Sequence, residues 1–346
     1  MKQYGVLVVD DSAFMRRAIS LILEKDPQFI VVGIARNGEE AVEKIQRLKP
    51  DLVTMDVEMP VMNGLKALEQ IMKTNPVPVV MLSSHTKEGA NETIRALELG
   101  AVDFFLKDYL LMNRMDDQHM QEFLVRLKGI AEATLPPASS QAHLNVREEI
   151  KMRRSEIKLI FIGCSTGGPS ALQTILPRFP ADFPIPIVVA QHMPPGFTKP
   201  LAERFNTMCH LKVKEAENGK VIQPGTIYIA PSGYQTIFEK KPDGSVVFKV
   251  DNEIDVQALY KPSIDISLRS AAPTFEDRLL TVILTGMGSD GMQGSSIVKK
   301  YHGTVFVEAE GSCIVYGMPK AVLEAGFADG QYLLSNMYDE IMAYLQ

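Results

Sequence analysis

A chain of 346 residues, 46% hydrophobic and 23% charged, has the length for two ordinary domains and the composition of a protein with packed cores. Its formal charge of −6 disfavours a nucleic-acid partner, which would call for a basic surface. No apolar run reaches the ~18 residues of a membrane span. Cys164, Cys209 and Cys313 lie too far apart for a disulfide framework or a zinc site. A soluble protein of the reducing cytoplasm is expected.

From the N-terminus, the runs "YGVLVVD", "FIVVGIA", "DLVTMD", "VPVVMLS" and "AVDFFLK" alternate with amphipathic stretches such as "AFMRRAISLIL" and "GEEAVEKIQRL". The alternation predicts βαβ units over residues 1–128. It implies an α/β fold: a doubly wound parallel sheet of flavodoxin-like order, with its site at the carboxyl ends of the strands. Asp10 and Asp11 close the first run, Asp56 the third, Ser83 the fourth and Lys107 the fifth. If the first and third strands are neighbours, three carboxylates meet and repel. Such a cluster calls for a hard cation such as Mg²⁺. With a hydroxyl and an ammonium beside them, these groups suit a phosphoryl group carried on a carboxylate. Helix capping by Asp11 or Ser12 would explain one such residue, but not the coincidence of five.

After a last helical stretch near "DQHMQEFLVRLKGIAEA", the segment "TLPPASSQAHLNVREEIKMRR" loses periodicity, and Pro136-Pro137-Ala138-Ser139-Ser140 reads as part of a linker placed at 129–156. A second α/β alternation fills 157–346 through "KLIFIG", "IPIVVAQH", "TIYIA", "LLTVILT" and "GTVFVEAE". A second doubly wound, Rossmann-like three-layer domain is expected there.

The stretch "IGCSTGGPS" reads as strand, glycine turn and helix. Its G-x-S-x-G pattern offers Ser165 as a nucleophile on a sharp turn, with helix amides ready for an oxyanion. Glycines 163, 167 and 168 are expected to clear the way for an incoming carbonyl. His192 follows "IPIVVAQ" and is the candidate base, with His210 and His302 as competitors in this half. Asp290, in "LTVILTGMGSDGMQG", follows another apolar run and can orient the imidazole. All three are predicted to converge at one sheet edge.

Rival readings exist. Gly286-Met287-Gly288-Ser289-Asp290-Gly291 fits the G-x-G-x-x-G of a dinucleotide site, with Glu308 near the ribose position. Asp290 would then stand where pyrophosphate charge belongs. An α/β-hydrolase would place its acid before its histidine. Metal-dependent hydrolysis lacks a ligand cluster in the sequence. A transcriptional regulator would need a DNA-binding effector, yet residues 136–346 hold 20 Lys and Arg against 22 Asp and Glu. A catalytically silent binding module serving some receptor or surface protein is a further alternative.

Residues 4–128 resemble the receiver domain of bacterial two-component response regulators through "VVDDS", "MDVEMPVMNG", "SSHT" and "DFFLK". The resemblance implies phosphorylation of Asp56 by a chemotaxis histidine kinase. It also implies Mg²⁺ on Asp10, Asp11 and Asp56, and switching through Ser83 and Lys107. Asp108 stands where receivers usually have proline. A cis bond there would cost about 3–4 kcal/mol, so a trans bond or strain is expected.

Residues 157–346 look like the catalytic domain of the chemotaxis protein-glutamate methylesterases. The shared motifs are "IGCSTGGPSAL", "VVAQHMPPGFT", "YIAPSG", "YKPSIDISLRSAA", "LTGMGSDGMQG" and "YGMPKAV". This implies Ser165, His192 and Asp290 as a triad, with the Met287 amide and Thr166 supporting the oxyanion. No cofactor is implied for the ester chemistry. The implied substrates are methyl-accepting chemoreceptors: glutamate γ-methyl esters are hydrolysed with methanol release, and selected glutamines are deamidated. A cytoplasmic monomer that neither binds nucleic acid nor inserts in the membrane is expected, its receiver restraining the esterase until phosphorylated. Two departures, Ser232-Gly233-Tyr234-Gln235 and "YHGTVFVEAEG", are expected to flank the cleft and to bear on substrate choice.

Overall fold

The computed structural model describes residues 2–84, 86–110, 117–132, 156–254 and 258–346. Most of the expected linker, residues 133–155, lies outside them. The chain divides into two units, Met1–Leu135 and Pro136–Gln346.

In the first unit, apolar runs become strands because both faces of a parallel sheet are covered. The strands are β1 (Tyr4–Val9), β2 (Phe29–Ala35), β3 (Leu52–Asp56), β4 (Val79–Ser83) and β5 (Asp103–Leu106). Their order is β2-β1-β3-β4-β5, with every pairing parallel. The intervening helices are α1 (Ala13–Leu23), α2 (Gly38–Leu48), α3 (Gly64–Thr74) and α4 (Lys87–Glu98). Each starts on a side chain that accepts an otherwise orphaned amide: Ser12, Asn37, Asn63 and Thr86 respectively. The last helix, α5 (Asp117–Glu132), covers the predicted helical stretch "DQHMQEFLVRLKGIAEA". It is anchored by Arg126, which pairs with Asp103 at 2.6 Å, and by Phe123, whose ring lies 4.7 Å from that of Phe105.

The second unit holds a seven-stranded sheet. Its elements are β6 (Leu159–Cys164), α6 (Gly168–Ile175), β7 (Ile187–Gln191), α7 (Thr198–Met208), β8 (Lys212–Glu215) and β9 (Thr226–Ile229), then the hairpin β10 (Gln235–Lys240) and β11 (Val246–Asp251). There follow α8 (Ile264–Phe275), β12 (Leu279–Ile283), α9 (Met292–Lys300), β13 (Thr304–Glu308), α10 (Met318–Glu324), β14 (Gly330–Tyr332) and α11 (Leu334–Leu345). The sheet order is β14-β13-β12-β6-β7-β9-β8, again parallel throughout.

Side chains on a strand alternate between faces, so each face builds its own core. Phe161, Val188, Tyr228, Ile283 and Val305 pack with α8, α9 and the hairpin. On the other face, Phe306 meets Tyr344 of α11 at 5.4 Å. The chain leaves β6 toward β7 on one side and returns to β12 on the other. The carboxyl edge of β6 is therefore the topological switch point, where ligands of such sheets bind.

Candidate active site and phosphoacceptor site

Register brings the first unit's acids together. Val9 pairs with Met55, so Asp10 and Asp56 lie side by side. One carboxylate oxygen from each of Asp10, Asp11 and Asp56 lies within 4.8 Å of the others, a donor set that fits a hard divalent cation. Lys107, one residue past β5, reaches Asp56 at 2.6 Å and Asp10 at 3.0 Å. Burial pushes the Asp56 carboxyl up and the Lys107 ammonium draws it partly back, leaving it at about 6. Among the described residues the cis peptide is Lys261–Pro262, so Lys107–Asp108 is trans. Ser83 is fully buried at the end of β4; its hydroxyl accepts from Thr93 at 2.7 Å and reaches the Gly89 carbonyl at 3.2 Å. It is thus tied to α4.

In the second unit, Cys164 and Gln191 are register partners, so Ser165 and His192 leave adjacent strand ends, and the His192 amide donates to the Cys164 carbonyl at 3.1 Å. His192 Nε2 lies 2.8 Å from Asp290 Oδ2, and both side chains are only 7% exposed. Asp290 is an acceptor, so Nε2 carries the proton and Nδ1 keeps its lone pair. Nδ1 is buried and has no hydrogen-bond partner among the described residues. It is the ring nitrogen left free to take a proton. Tyr260 stacks on the imidazole at 4.1 Å with a 10° tilt, which fixes the ring plane.

Asp290 does not sit at a strand end; it lies in the loop between β12 and α9. Its carboxylate is held there by Ser263 Oγ at 3.1 Å and by the amides of Ile264 and Asp265 at 2.8 and 2.9 Å. Burial raises its pKa, but the bond to His192, the charge that ring carries when protonated, and these amides outweigh burial and hold it below the ordinary value. The neighbouring Asp265 accepts from the Gly291 and Gly294 amides at 2.9 and 2.6 Å, which clamps the start of α9. Its own carboxyl is pushed up to about 6 by burial, opposed by the Gly294 amide and reinforced by Asp290.

The Ser165 amide donates to the Thr285 carbonyl at 3.0 Å. A Cβ on Gly286 would lie 2.8 Å from the Ser165 Cβ, so the Gly286–Met287 peptide runs alongside the serine. Thr166 Oγ1 is buried without a hydrogen-bond partner among the described residues.

Two expectations change, and one rival reading falls. The glycines of the serine turn make room for the interior rather than for substrate: Cβ atoms at 163, 167 and 168 would strike Ile264, Ile314 and Gln191. Gln235 and Glu308 do not flank a cleft, since both are fully buried; of the Ser232–Gln235 stretch only Tyr234 stands out, 45% exposed. The dinucleotide reading fails because Asp265 occupies amides at the start of α9 and Glu308 faces inward, accepting from the Thr285 amide at 2.8 Å. His302 precedes β13 and His210 precedes β8, at the opposite, amino edge of the sheet from Asp290.

Sequence reasoning quoted "YKPSIDISLRSAA" as a shared motif but gave no role to its Tyr260, Ser263 and Asp265, and it took Gln235 as a cleft-flanking residue. Gln235 donates to the Tyr260 carbonyl at 2.7 Å and accepts from the Ser263 amide at 2.8 Å. It thereby braces the segment that stacks on His192 and holds Asp290. The available signal was "PSID", a Ser-x-Asp start to a helix.

Burial raises the Glu308 carboxyl from its ordinary 4.5 to about 7, against the pull of the Thr285 amide. A carboxyl raised on folding contributes stability below its unfolded value and loses it as pH rises through the folded value. Between pH 5 and 8 the protein should therefore lose about 2–3 kcal/mol relative to Glu308→Gln, by urea unfolding at both pH values. Equal pH dependence of the two proteins would refute this.

The CheB methylesterase family matches residues 160–341, and the response regulator receiver domain family matches residues 6–115. The chain belongs to the CheB methylesterase family. It is 41% identical to a protein-glutamate methylesterase/protein-glutamine glutaminase of Idiomarina loihiensis, with 97% of each chain covered. It is 45% identical to the protein of the same name from Thermotoga maritima, over 94% of this chain and 93% of that one. The crystal structure of the Thermotoga maritima CheB methylesterase catalytic domain is 42% identical with a TM-score of 0.52, covering 55% of this chain and 99% of that domain. Among the described residues, no helix is long and apolar enough to cross a membrane.

Proposed function

We propose that this CheB-family protein hydrolyses glutamate γ-methyl esters of methyl-accepting chemoreceptors and deamidates selected receptor glutamines, under control of phosphorylation at Asp56. The observation that carries the reading is the 2.8 Å contact with Asp290 made by Nε2 of His192, a residue that leaves the strand end adjoining that of Ser165.

Ser165 Oγ attacks the ester carbonyl while His192 Nδ1 takes its proton. The oxyanion is received by the Met287 amide, with Thr166 in support. Collapse expels methoxide, which His192 protonates to methanol. Water then attacks the acyl-enzyme, again deprotonated by Nδ1, and frees the γ-carboxylate and Ser165. With glutamine the leaving group is ammonia.

In the receiver, Asp56 accepts a phosphoryl group from a histidine kinase, with Lys107 and Ser83 as the switch. Asp10, Asp11 and Asp56 would hold Mg²⁺, which supplies charge neutralisation for the transfer. The protein acts in the cytoplasm as a monomer, on the receptors' cytoplasmic portions. The receiver restrains the esterase when unphosphorylated; a ~10-fold change in activity requires only about 1.4 kcal/mol of differential stability.

The test is methanol release from methylated receptor membranes, with and without a small phosphodonor, for the full chain and for a chain lacking residues 1–140. Phosphodonor should stimulate the full chain, and the truncated chain should exceed its basal rate. A truncated chain slower than the full one would refute restraint, and no methanol from either would refute the activity.

A further inference from the structure

Gln191 ends β7 and is only 2% exposed. Its Nε2 lies 2.9 Å from the Ser165 carbonyl and 3.0 Å from the His192 carbonyl. Its Oε1 accepts from the Cys164 thiol at 3.0 Å. An amide nitrogen has two hydrogens, and here one goes to the nucleophile's residue and the other to the base's. The reverse orientation would aim an oxygen at two carbonyl oxygens, so the contacts fix which way the amide faces.

The surroundings are cut to fit this group. A Cβ on Gly168 would collide with Oε1, so α6 can begin where it does only with glycine there. The Ser165 carbonyl also accepts from the Gly168 amide at 2.8 Å, which fills both of its lone pairs. Apart from the strand pairing beneath, the side chain of Gln191 is a direct tie between the two loops whose alignment the attack requires.

We infer that Gln191 is a positioning residue that sets the distance between Ser165 Oγ and His192 Nδ1, an inference that rests on the triad reading above. It touches no reacting atom and acts through the backbones of Ser165 and His192. Glutamate cannot replace it, because a carboxylate has no hydrogen for either carbonyl. Methionine fills the volume and offers neither bond.

The test is a double-mutant cycle on the full chain, with Gln191→Met and Gln191→Glu each made alone and with His192→Ala, reading kcat and KM for methanol release. Alone, each should lower kcat about 10- to 100-fold with KM little changed. In the His192→Ala background, where no base remains to align, the same changes should cost less than about 3-fold. An equal cost in both backgrounds, as misfolding would give, overturns the inference while leaving the triad standing. So does a loss carried by KM, or a kcat kept within about twofold. Full activity of His192→Ala alone would overturn the triad and the inference with it.

Discussion

Replacing Ser165 with alanine should abolish methyl-ester hydrolysis, lowering kcat by at least about 10⁴-fold, with the fold intact. The bonds that shape the turn belong to the backbone of residue 165: its amide to Thr285, and its carbonyl from Gly168 and Gln191. Alanine keeps all three. Loss of a half-buried hydroxyl should change unfolding by no more than about 0.5 kcal/mol. Methanol release and labelling by a serine-directed fluorophosphonate should vanish together, while the melting curve stays put. Hydrolysis that survives the substitution would remove Ser165 from the mechanism.

Asp290→Asn should cost about 10⁴-fold in kcat, with little change in KM. The isostere can face either way. With its oxygen toward His192, its NH₂ confronts the amides of Asp265 and Gly291, which both donate to Oδ1. With its NH₂ toward His192, only the Ile264 amide loses its acceptor, since that amide donates to Oδ2. The second orientation forfeits fewer buried bonds and is preferred. It forces Nε2 to accept, which puts the imidazole proton on Nδ1 and leaves no lone pair for Ser165. A stability loss of about 1–3 kcal/mol should accompany the change, seen as a lower urea midpoint. Near-normal kcat in this variant would show that Asp290 does not govern the histidine's tautomer.

The sequence was most readable where strand ends carry chemistry. Asp10, Asp56, Ser165 and His192 each close or follow an apolar run, and parallel pairing brings such ends to one edge. Short edge elements were not readable. β8 is the four residues "KVKE" and β14 the three residues "GQY", too brief and too polar to show a period. The hairpin β10–β11 was also passed over, because "QTIFEK" and "VVFKVD" are separated by the polar stretch "KPDGS" with no strict two-residue turn.

The supporting shell was hidden for a different reason. Gln191, Gln235 and Glu308 are polar residues in the interior, and their meaning depends on partners far away in the chain. Local pattern assigns such residues to the surface. The turn glycines were recognised, but what they make room for could be read only from the packing of Ile264, Ile314 and Gln191.

Each sheet carries its own cluster of candidate functional side chains. Asp10, Asp56 and Lys107 belong to one unit, and Ser165, His192 and Asp290 to the other. On the reading proposed above, the phosphoryl group and the ester are therefore handled by different sets of side chains. The proposed control acts on how large a share of molecules stands ready at any moment. Under that proposal, a graded signal from the kinase is read out as a headcount of competent enzymes.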